Sequence, residues 1–103
     1  MNSIRLEKKI QHLLAKINEV NVEIVDTLRG RNDRIIYDIR YYTFFLDELE
    51  EVFNFINAEL DLINQQLYWT EPTRKLENLR NQLIRQYELM YKLFDDLVVR
   101  IEI

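Results

Sequence analysis

From Ile35 to Leu67 the apolar residues fall at Ile35, Ile39, Tyr42, Leu46, Leu49, Phe53, Ile56, Leu60, Ile63 and Leu67. The spacings alternate four and three without a break. That is the a/d repeat of a helix laying one apolar seam against other helices. An earlier segment carries its own seam at Leu6, Ile10, Leu13, Ile17, Val20, Ile24, Thr27 and Leu28, widened by Leu14. Between these positions lie Glu7, Lys8, Lys9, Gln11, Lys16, Glu19 and Glu23, good helix formers for a solvated side. A third seam reads Leu76, Leu83, Tyr87, Met90, Phe94, Leu97 and Ile101, widened by Leu79, Ile84, Tyr91, Leu93 and Val98.

Two breaks separate the seams. Gly30 can take the left-handed position that closes a helix, and Asn32 or Asp33 can cap the next one. The seam also slips phase there, because Ile24 to Ile39 is fifteen residues rather than fourteen. A turn is therefore expected instead of one continuous helix. At Thr70-Glu71-Pro72 the proline suits a first helical turn and would disrupt an interior, so Thr70 or Glu71 is expected to cap the third helix. The pattern predicts helices over about 3–29, 33–69 and 72–101 in a single all-α domain covering 1–103. Short connections make sequential helices antiparallel neighbours. The expected architecture is an elongated up-down-up three-helix bundle with coiled-coil-like seams.

The middle helix has more apolar surface than one seam requires. A second stripe runs through Tyr41, Phe45, Val52, Phe55, Leu62 and Trp69, interrupted by Glu48, Glu59 and Gln66. A helix apolar on more than one side is buried on more than one side. Aromatic residues anchor interfaces, and large apolar patches are uncommon on monomers. The stripe is therefore expected to meet a protein partner, with a homodimer about a two-fold axis the leading form.

Composition narrows the chemistry. One glycine and one proline in 103 residues leave too few turns for a many-stranded fold. The absence of cysteine excludes disulfides, thiolate metal sites and cysteine nucleophiles. Met1 to Lys9 has no continuous apolar run of the secretory kind, and no window approaches the ~18 apolar residues of a membrane span. A cytoplasmic location is expected. His12 is the sole histidine and lacks the Glu-x-x-His partners of a helical-bundle metal site. The carboxylates Asp47, Glu48, Glu50 and Glu51 sit at offsets that point them to different sides of one helix, as on a solvated face that could meet a basic partner. No cofactor and no enzymatic activity are expected. Arg29, Arg31, Arg34 and Arg40 cluster at the first break and offer an alternative function, contact with nucleic acid in a viral or mobile-element protein. Asp33 and Asp38 are interleaved with them, and the net charge of −4 opposes a general attraction to polyanions.

Two short stretches have counterparts in known families. Ile17-Asn18-Glu19-Val20-Asn21, Ile24-Val25, Thr27-Leu28 and Arg31 resemble the first helix of the all-helical chorismate mutases. That resemblance implies an intertwined three-helix dimer. The family's cations fall on Leu14 and Tyr42 here, so the dianion-binding site does not carry over. Arg31-Asn32-Asp33-Arg34-Ile35-Ile36-Tyr37 resembles the Arg-Asn motif of the helical HEPN ribonucleases. The histidine that ends their motif would fall on Ile36 or Tyr37, which removes the group their chemistry uses.

Overall fold

The seams fold as three α-helices: α1 (Ser3–Leu28), α2 (Ile39–Tyr68) and α3 (Arg74–Glu102). This computed structural model describes the backbone of residues 3–29 and 39–102 and the side chains of residues 3–29 and 43–100. The expected break at Gly30 and the stretch expected to open the second helix at residue 33 lie outside the described residues. Helices of 26, 30 and 29 residues are each roughly 40–45 Å long at about 1.5 Å per residue, which accounts for overall dimensions of 50 × 20 × 18 Å.

The ends of α2 and α3 are set by side-chain hydroxyls. Thr70 Oγ1 donates to the Gln66 carbonyl at 2.6 Å, while Trp69 N and Thr70 N donate to Gln66 and Leu67 carbonyls in a tightened last turn. Thr73, rather than Thr70 or Glu71, caps α3: its Oγ1 accepts from Leu76 N at 3.1 Å, and its carbonyl accepts from Glu77 N at 3.0 Å. The reason lies in the neighbouring residues. Pro72 biases Glu71 away from helical angles, and the Thr70 hydroxyl is already engaged backwards with α2.

The three seams meet in one core. Leu6, Ile10, Ile17 and Ile24 of α1 are buried with Ile56 and Ile63 of α2 and with Leu76, Leu83, Met90 and Leu97 of α3. Burying a large aliphatic side chain contributes about 1.5–3 kcal/mol, so this core dominates stability. Surface pairs add little. Lys75 Nζ lies 3.3 Å from Glu7 Oε2, but the lysine is largely in water, and such pairs are worth about 0–1 kcal/mol. The helices do not approach equally. The α1 backbone lies closest to α3, next to α2, while α2 and α3 come least close to one another.

Polar groups mark two of the joints. Between α1 and α3, the buried Asn21 donates through Nδ2 to the Gln86 carbonyl at 3.2 Å and to Gln86 Oε1 at 3.3 Å. Its own Oδ1 is buried with no partner. Between α2 and α3, aromatic rings fill the wider gap. Phe53 packs on Tyr91 (centroids 5.4 Å) and on Phe94 (5.0 Å), and Tyr87 packs on Tyr91 (5.0 Å). Asn57 sits among them, accepting from the Tyr87 hydroxyl and donating to the Tyr91 hydroxyl at 3.1 Å.

Burial, with the neighbouring Tyr91 hydroxyl and to a smaller extent Asp61, pushes the Tyr87 phenol up from 10.0 to about 12. The folded chain therefore keeps this proton over a range in which the unfolded chain releases it. Stability from Tyr87 is fully present below pH 10.0 and is lost as pH rises towards about 12. Urea unfolding across that range should show a steeper loss of stability for the natural chain than for Tyr87→Phe. Parallel curves for the two would refute this assignment.

Candidate functional site

An α-helix turns about 100° per residue, so spacings of four and three keep residues in one row while adjacent residues diverge. On α2 that rule separates Phe44 from Phe45. Phe45 is 5% exposed and belongs to the core, whereas Phe44 is 64% exposed. The row that contains Phe44 continues through Glu48, Glu51, Phe55, Ala58, Leu62 and Gln65 to Trp69, again in alternating fours and threes. Phe55 is 54% exposed, Leu62 51% and Trp69 80%. α2 therefore carries two rows of heptad spacing: one is buried against α1 and α3, and the other faces outward.

The six stripe residues expected from the sequence divide between these two environments. Phe45 is in the core, and Val52 is half-buried and packed against it. Phe55, Leu62 and Trp69 stand on the outward row. The Tyr41 side chain lies outside the described residues. The split has a geometric cause: at about 100° per residue the ten residues from Phe45 to Phe55 fall roughly 80° short of three full turns, so the two rings lie on different sides of the helix. Phe44 lies outside the expected stripe although its spacing carries the signal, eleven residues before Phe55 and about three turns away.

The outward row ends at a second aromatic feature. Tyr68 is as exposed as Trp69, and their rings pack edge to face with centroids 5.0 Å apart at the α2–α3 turn. Beside this pair a concavity of about 380 Å³ is lined by Leu67, Pro72, Leu76 and Arg80. On the other flank, Lys16 of α1 shares a shallow groove with Glu51, Val52 and Phe55.

The remaining candidates stay apart. Asp47, Glu48, Glu50 and Glu51 are all exposed and do not converge on a cavity. His12 is exposed on α1. Among the described residues, no group of three or more His, Cys, Asp or Glu side chains is placed to hold a metal ion. No helix of the described residues is long and apolar enough to cross a membrane. Of the four arginines at the first break, Arg29 is exposed, and the side chains of Arg31, Arg34 and Arg40 lie outside the described residues.

Adjacent phenylalanines of opposite placement give a direct check. Phe45→Ala should destabilise the chain by about 3–5 kcal/mol, the cost of emptying a packed aromatic site. Phe55→Ala should change stability by no more than about 0.5 kcal/mol, as expected for an exposed position. Denaturant midpoints measure both, and equal losses would contradict the two-row geometry. Comparison of the chain with known protein families, characterised proteins and solved structures finds no match.

Proposed function

We propose that this chain is a non-enzymatic helical interaction or assembly module, working in the cytoplasm as an adaptor, structural subunit or inhibitor. The three seams form an up-down-up bundle whose role is to hold α2 straight and present its outer row. The observation that carries this reading is the placement of Phe44, Phe55, Leu62 and Trp69 in one exposed row. Single exposed apolar residues are ordinary, but a row of heptad spacing is the pattern by which one helix grips another. Contacts along the bundle support the rigid-platform part of the proposal. Glu7 meets Lys75 and Asn21 meets Gln86, so those pairs advance in the same sense along α1 and α3, while Lys9 of α1 reaches Gln66 near the end of α2.

The mechanism is desolvation of the row by a second chain, either another copy or a different protein. Aromatic anchors contribute most because they bury large area at low conformational cost. Light scattering of the pure protein, together with capture from an extract of its native host, tests this against Phe55→Glu and Leu62→Glu. Both variants should keep the helical signal and lose whatever association the natural chain shows. A natural chain that is monomeric, and captures nothing that the variants fail to capture, would overturn the proposal.

A further inference from the structure

The charge on α2 identifies the chemistry of the chain that covers its outer row, an inference that rests on the association reading above. Between Thr43 and Trp69 the helix carries Asp47, Glu48, Glu50, Glu51, Glu59 and Asp61 and not one Lys, Arg or His. Two of these, Glu48 and Glu51, stand within the row itself, and Asp47 and Glu59 lie beside it. Any helix laid along the row must bring its own groups against those carboxylates. Lys16 of α1, in the groove beside Glu51 and Phe55, is a cation from the neighbouring helix at this rim, and Lys9 is directed to Gln66.

A second copy fits this surface poorly. In antiparallel register, Phe55 would oppose Ala58 of the second copy and Trp69 would oppose Phe44, which suits packing. The same register lays Glu51 against Leu62 and Glu48 against Gln65, with no Lys, Arg or His between residues 43 and 69 of either α2. In parallel register each carboxylate meets its own counterpart. The antiparallel arrangement desolvates carboxylates against apolar or amide groups, and the parallel one places like charges together, both of which interfaces avoid. A basic helix has neither defect. Lys or Arg flanking its apolar ridge would pair with the carboxylates, while its aliphatic side chains fill the spaces between Phe55, Leu62 and Trp69.

We infer that the outer row of α2 binds an amphipathic helix of another protein whose apolar ridge is flanked by Lys and Arg. The row spans roughly 38 Å at about 1.5 Å per residue, so the partner helix runs to about 25 residues. The basic flanks set orientation and speed of encounter, and the apolar ridge sets residence.

Trp69 is the single tryptophan and stands in the row, so its emission reports occupancy directly. The probe is a synthetic helical peptide of that length, free of tryptophan, with Leu at the ridge and Lys or Arg on both flanks. A counterpart with Glu on both flanks is the control. The basic peptide should shift Trp69 emission to the blue, and the acidic one should not. Raising salt from about 0.05 M to about 0.5 M should weaken binding by about tenfold or more, and Glu48→Gln with Glu51→Gln should weaken it in the same direction. Phe55→Glu separates the two components. It adds negative charge yet breaks the ridge, so binding should be lost, whereas attraction by charge alone would make it tighter. Tighter binding by Phe55→Glu, or equal binding of both peptides, overturns the inference. A dimer in light scattering that Leu62→Glu dissolves would also overturn it while leaving the association reading intact. Silence in every arm would remove both.

Discussion

The structure depends on one geometric limit: a helix in a three-helix bundle can press only one side against its two neighbours. Against that limit, α1 and α3 each press one apolar row into the core and leave a few large apolar residues exposed, among them Ile4 and Val22 on α1 and Ile84, Leu89 and Val99 on α3. α2 exceeds it. Its buried row, with Leu49, Phe53, Ile56 and Ile63, already fills the available contact with the other two helices. The second row has nowhere inside the protomer to go, so Phe44, Phe55, Leu62 and Trp69 face water. Leaving these side chains half or more exposed forgoes a good part of the about 1.5–3 kcal/mol that full burial of each would contribute, a cost that stability alone does not explain.

Much of the fold was legible because heptad spacing is a strong and local signal. Leu6, Ile10, Leu13, Ile17, Val20 and Ile24 all point inward, as their spacing of four and three requires. The all-helical class and the three helices follow from the same signal and from the scarcity of turn residues. The limits of reading by sequence appear in the second stripe. Around Phe44-Phe45-Leu46 the helix is apolar through successive residues, so neither phenylalanine is marked as inner or outer by its neighbours alone. Assignment needs the direction of α1 and α3, which only the packed structure supplies. The same holds for Thr73. Three hydroxyl or carboxyl residues near Pro72 could cap α3, and the choice turns on Thr70 closing α2 instead.

Register within the bundle owes as much to polar joints as to the seams. Repeating Leu and Ile permit slippage by a heptad, since each layer resembles the next. Asn21 Nδ2 against Gln86, and Asn57 between Tyr87 and Tyr91, make hydrogen bonds that a shift by a heptad would break. Such fixed alignment matters for an interaction platform, because the outer row of α2 is straight and correctly spaced only if its inner row is held in place.

The central claim is that α2 is apolar on two sides and that the bundle covers only one. Hydroxyl-radical footprinting of the chain alone, read residue by residue by mass spectrometry, tests it most directly. Phe44, Phe55, Leu62 and Trp69 should oxidise readily, while Phe45 and Phe53 should be protected. Protection of Phe55 and Leu62 to the same degree as Phe53 would show that the outer row is sealed within one protomer, and the account would fail.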